Sequence, residues 1–128
     1  MEQRESTAIL SGASVVTLQG EFDLADRQRL ADAFEVAACD PVVIVDLGPT
    51  SYIDSTVLSE LVKLRNSRAV GTGRLLLTKP SGTVARLFDV SQVGGLFEMF
   101  PNVDGSLTEL DVQRDAVRRI TLVGKDKG

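Results

Sequence analysis

The sequence predicts an α/β domain built on a mostly parallel sheet, and three observations carry that prediction. Short runs rich in β-branched residues alternate with segments whose apolar residues recur at helical spacing. One run, "VVIVDLG" (42–48), is continuously apolar, the mark of a strand covered on both faces. The 128 residues, 43% hydrophobic and 25% charged, hold no internal repeat, low-complexity tract or linker, so a single domain spans 1–128. A chain of this length buries roughly two-thirds of the surface its unfolded form exposes, so it needs neither disulfide nor metal to hold together.

The elements follow in order. "ASVVTLQG" (13–20) is β-branched and closes on a glycine, as a strand does. "TAILSG" before it predicts an antiparallel partner, joined by a short turn near Gly12 into an N-terminal hairpin. From Leu24 the period changes: Leu30, Ala33, Phe34 and Ala37 share one helical face, and Arg27, Arg29 and Glu35 lie on the wet side. Asp23 is placed to cap that helix, and Asp40-Pro41 ends it. After the apolar strand, a second helix runs from about Ser55 to Val70, with Leu58, Leu61, Val62, Arg65 and Ala69 on one side. "GTG" (71–73) turns into the strand "RLLLTKP" (74–80), and Ser81 is placed to cap a short helix carrying Val84, Leu87 and Phe88. "GLFEMF" (95–100) predicts a strand. A last helix is expected from about Asp104 to Thr121, through Leu107, Leu110, Val117 and Ile120. Four to five strands and about four helices result, with right-handed crossovers laying helices on the sheet.

Composition excludes several functions. The chain has no histidine, so Ser-His-Asp and Cys-His catalysis, His-ligated zinc and histidine phosphorylation are closed to it alone. The one cysteine, Cys39, cannot form an internal disulfide, which suits a reducing compartment. Fourteen Lys and Arg against 18 Asp and Glu give a net charge of −4, which argues against direct nucleic-acid or membrane binding. No run approaches the ~18 apolar residues that cross a bilayer, and "MEQREST" lacks a signal-peptide core; a cytoplasmic protein is expected. "GTG" stands after a helix and before a strand, the wrong order for a dinucleotide fingerprint, and no P-loop pattern occurs. Asp46 and Asp54 end one strand-to-helix segment, but two carboxylates without further ligands do not call for a metal. Neither a cofactor nor an enzymatic constellation is expected.

"YIDSTVL" (52–58) stands apart. Asp54 or Ser55 there could simply cap the second helix. Ser55 would also sit at a helix N-terminus beyond a buried strand, where α/β sheets present ligand-facing loops. A phosphate on it would meet free backbone N–H groups and the positive helix end. A partner docked on that surface would instead face nearly two added negative charges. Both readings remain open on the residues alone.

Four stretches, taken together, resemble a known family. "GEFDLADRQRL" (20–30) is similar to a G-E-[LF]-D helix opening, and "VVIVDLGPTSYIDSTVLSEL" (42–61) to a strand, D-L, then [ILMV]-D-S-[ST]-G-L. "SGTVARLFDVSQVGGLFEMF" (81–100) is similar to a helix ending R-L-[LF] that leads into G-[LI]-x-x-[LIVF]-[FY], with "RLLLTKP" between. These resemble the motifs of the STAS domains of anti-sigma factor antagonists, the anti-anti-sigma factors of bacterial sporulation and stress responses. The likeness covers about 8–110, leaving 111–128 as a C-terminal helix and tail.

The resemblance implies a STAS-like fold and a regulatory binding protein. Unphosphorylated, such a protein binds an anti-sigma factor that is also a serine kinase and so frees a sigma factor; phosphorylated, it lets go, and a PP2C-type phosphatase resets it. The matching acceptor is Ser55, with Thr56 the adjacent hydroxyl. Asp23, Asp54, Thr56 and Val57 are the implied partner-binding neighbours, Ser81 in the Pro80–Gly82 loop is expected to border the same rim on topology, and a homodimer is compatible with the family. Val57 replaces the family's usual glycine. Two other roles occur among such domains: a scaffold subunit of a stress-sensing assembly, and an accessory subunit of an ABC-type lipid transporter.

Overall fold

The computed structural model describes residues 12–69, 71 and 73–126. Its first strand, β1 (Ala13–Phe22), runs through the centre of the sheet. A 3-10 turn (Leu24–Asp26) then leads into α1 (Arg27–Ala37). β2 (Val42–Asp46) and β3 (Thr50–Ile53) come next, then α2 (Ser55–Ala69) and β4 (Arg74–Thr78). α3 (Gly82–Ser91), β5 (Glu98–Phe100), α4 (Val103–Glu109) and β6 (Val117–Val123) complete the order.

Every pairing between these strands is parallel, as the alternation of strand and helix requires. β2 pairs with Ala13–Thr17 and β3 with Gly20–Phe22, so the two run in succession along one edge of β1. The residues Leu47–Pro49 between them are bridged by the Gly20 N–H, which donates to the Pro49 carbonyl at 3.1 Å. β4 lies beyond β2 and β5 beyond β4, while β6 takes the opposite edge of β1.

Alternation along the strands divides the core. Val16, Leu18, Val43, Val45, Leu75 and Leu77 point to the face covered by α1, α2 and α3. Ala13, Val15, Val42, Ile44 and Leu76 point to the other, where Leu107 of α4 and Val112 close it. A fully buried Leu or Val contributes ~1.5–3 kcal/mol, and the first face carries most of them. The Arg68 guanidinium donates to the carbonyls of Ala38, Asp40 and Pro41, tying the end of α2 to the α1–β2 turn.

Three expectations need correction. The helix expected over 104–121 stops at Glu109, and Asp111 turns left-handed at φ 57°. "VRRITLV" becomes β6 because its β-branched residues lie along a free edge of β1, where pairing outweighs a loose helical pattern. The sheet accordingly has six strands where four to five were expected, since "TSYI" also pairs as β3. Ser81 stands at the N-cap position of α3, but its side chain makes no capping bond. The expected partner strand "TAILSG" covers 7–12 with its turn near Gly12, and residues 7–11 lie outside the described residues. β6 and β2 occupy both edges of β1 along Ala13–Thr17.

Candidate functional site

The candidate site forms where β3 hands over to α2. Asp54, the one residue between them, decides how the helix begins. Its Oδ1 accepts the N–H of Thr56 at 3.0 Å and of Val57 at 3.2 Å, capping the first turn. Its Oδ2 accepts the N–H of Leu24 at 3.1 Å, binding the opening of the first helical region to the opening of α2. The aspartate is thus the cap, and the serine is not.

Ser55 follows as the first residue of α2. It is exposed, and its hydroxyl makes no hydrogen bond to any described residue. The helix amides of Thr56 and Val57, expected to be free for a phosphate, are already held by Asp54. Thr56 is half-buried beside it. Val57 is fully buried in the core beneath α2, so it offers no surface to a partner, contrary to the expectation; its side chain packs inward, away from the Ser55 hydroxyl.

Ser55 stands on the ridge between two open grooves. One, about 340 Å³, is bordered by Tyr52 of β3 and by Thr83, Arg86, Leu87 and Val90 of α3. The other, about 310 Å³, is bordered by Leu58, Val62 and Val93. Tyr52 is 45% exposed and Val90 73%, large apolar side chains left open beside a free hydroxyl. The Thr83 hydroxyl donates to the Ser51 carbonyl at 3.0 Å and holds the start of α3 against β3. Thr83, Arg86, Leu87 and Val90 make up the α3 side of this groove, and Ser81 does not border it. Sequence patterning missed Tyr52, Arg86, Val90 and Val93, although Thr83, Leu87 and Val90 recur at spacing that places them on one helix face.

Asp23 sits at the adjoining turn but is differently engaged. Its Oδ1 accepts the Ala25 N–H at 2.9 Å, and its own N–H donates to Asp26 Oδ2 at 2.9 Å, a reciprocal capping box. Lys125 Nζ lies 3.0 Å from Asp23 Oδ1 and 3.5 Å from Asp26 Oδ2. The hydrogen bond from Lys125, with that from Ala25, holds the Asp23 carboxyl below its ordinary range, and the same bond raises the Lys125 ammonium.

Glycines make that contact possible. Gly20 takes φ 103°, and a Cβ on it would stand 2.8 Å from the Lys125 carbonyl oxygen; a Cβ on Gly124 would run into the Glu21 carbonyl oxygen.

Asp46 is separate from this surface: its Oδ1 accepts the Gly48 N–H and the Thr78 hydroxyl. Among the described residues no group of three His, Cys, Asp or Glu side chains could hold a metal ion. No described helix is long and apolar enough to cross a membrane.

Comparison with known proteins agrees with this fold. The model of the STAS domain matches residues 5–106. A STAS-domain containing protein of Pseudomonas aeruginosa (strain UCBPP-PA14) is 31% identical over 85 residues, 66% of this chain and 84% of that protein. The anti-sigma factor antagonist SpoIIAA in its unphosphorylated form superposes with a TM-score of 0.59 at 21% identity, covering 76% of this chain and 87% of that one. The phosphorylated form of the Bacillus cell fate determinant SpoIIAA gives 0.60 at 20% identity, covering 77% and 91%. A sulfate transporter family protein from Wolinella succinogenes gives 0.63 at 19% identity, covering 77% and 84%. At such identities the solved structures establish a shared fold.

Proposed function

The chain belongs to the STAS domain family, and from that membership we propose that it is an anti-sigma factor antagonist switched by phosphorylation of Ser55. The observation that carries the proposal is the division of labour at the start of α2. Asp54 does the capping, which leaves the Ser55 hydroxyl exposed, unbonded and flanked by open apolar grooves.

In this proposal the unphosphorylated chain docks the Tyr52–Ser55–Val90 surface on an anti-sigma factor that is a serine kinase, in the cytoplasm. The kinase transfers the γ-phosphoryl group of ATP to Ser55 Oγ. The new P–O bond forms as the bond to ADP breaks, and the hydroxyl proton passes to a base of the kinase. The chain is a substrate and contributes no catalytic residue. The added negative charge, placed among apolar contacts, expels the partner. A PP2C-type phosphatase then hydrolyses the ester, returning the serine and inorganic phosphate. Fold similarity to both forms of SpoIIAA supports this proposal by analogy of fold.

A pull-down from the native cell extract tests it, with wild type, Ser55→Ala and Ser55→Asp as baits and intact-mass analysis of each. A kinase-like anti-sigma factor is expected on wild type and Ser55→Ala but not on Ser55→Asp, with phosphate gained by wild type alone. Retention of one partner by all three baits, with no phosphate on any, would overturn it. A transporter ATPase retained in that way would point to an accessory subunit instead.

A further inference from the structure

Resting on that function, we propose that Arg86 is the receiver of the Ser55 phosphate, drawing it across the groove between α2 and α3. The capping geometry motivates the idea. A phosphate on Ser55 Oγ would stand beside a carboxylate, since Asp54 already accepts the Thr56 and Val57 amides that would otherwise hold an anion. Without another cation it would gain little from the helix and would be repelled by its neighbour.

Two cations border the grooves that Ser55 separates. Lys63, on the second, already pairs with the buried Glu60 at 3.2 Å. Arg86, on the first, is exposed and has no hydrogen bond or ion pair to any described residue. It projects from the face of α3 that also carries Thr83 and Val90, and Thr83 fixes that face against β3. A guanidinium offers a planar pair of N–H donors that matches two phosphate oxygens, a fit a lysine cannot reproduce. The bridge would span the groove and lay the arginine stem over Leu87 and Val90. Phosphorylation would thus cover the apolar surface as well as charge it.

The test uses the full chain carrying phosphoserine installed at position 55 during synthesis, without any kinase, and follows its second ionisation by phosphorus NMR. An ordinary phosphoserine has a second pKa of about 6. The wild-type phosphate is expected to titrate lower than the Arg86→Ala phosphate by about half a pH unit or more, the direction an adjacent cation imposes. Arg86→Lys should fall between, and Lys63→Ala should coincide with wild type. Coincident titrations of wild type and Arg86→Ala would sink the proposal, and so would a rise in Lys63→Ala alone. Because the phosphate is installed synthetically, a chain never phosphorylated in its own cell would defeat the proposed function without altering this result.

Discussion

Asp23 and Asp54 each open a helical segment beside β1, yet the two openings leave different groups free. At Asp23 the turn is tied on several sides: the carboxylate Oδ1 holds the Ala25 amide and Lys125, and Asp26 returns a bond to the Asp23 amide. At Asp54 the carboxylate is equally busy, with three backbone amides, but the next residue is a serine with nothing to do. The first opening is closed over by the end of β6, and the second faces two grooves. A cap that satisfies the backbone with its own carboxylate leaves the following hydroxyl without a protein partner. A cap that is itself strapped down becomes structure.

The strap at Asp23 should break first and most severely. Gly124→Ala places a methyl group against the Glu21 carbonyl, where neither backbone can yield. A loss of about 3 kcal/mol is expected, read as a lower urea midpoint with an unchanged slope. If stability is unaltered, the end of β6 does not sit where it closes the Asp23 turn.

Asp54 comes next. Asp54→Ala removes the α2 cap and leaves the Leu24 amide without its partner, an expected loss of about 2 kcal/mol by chemical denaturation. Asp54→Asn retains acceptor oxygen at the cap and should lose less than half of that. Equal losses would mean that charge, not capping, is what Asp54 supplies.

The smallest effect sharpens the comparison through pH. Asp23 is held below its ordinary range in the folded chain, so its contribution is present above the unfolded value of about 3.9 and disappears as pH falls through the lower folded value. Lys125 is raised, so its contribution is present below the unfolded value of about 10.4 and disappears as pH rises through the higher folded value. Lys125→Ala should flatten both limbs of the stability profile slightly, since both groups are exposed to solvent. Profiles that superpose would show the pair to be without energetic consequence.

Much of the site is legible in the sequence. "YIDST" at the end of a buried strand places a carboxylate and hydroxyls at a helix start, where the cap must come from Asp54 or Ser55. Which residue caps is not legible, because Asp54 and Ser55 both have the chemistry. Only the backbone geometry puts the Asp54 oxygens on the Thr56 and Val57 amides. Val57 shows the limit plainly: adjacent in sequence to Ser55 and Thr56, it points into the core because α2 turns that position toward the sheet.

The sequence by itself determined the parallel α/β class, the helix opening at "IDST" and the absence of histidine chemistry. These depend on local periodicity, on capping preference and on composition, none of which needs a contact between distant residues. The tertiary structure alone decided that "VRRITLV" is a strand on the edge of β1, that Lys125 reaches Asp23, and that Arg86 shares a groove with Ser55. Each of those joins residues far apart in the chain. No local preference encodes such a meeting; the packing of α3 on β3 and the pairing of β6 with β1 bring it about.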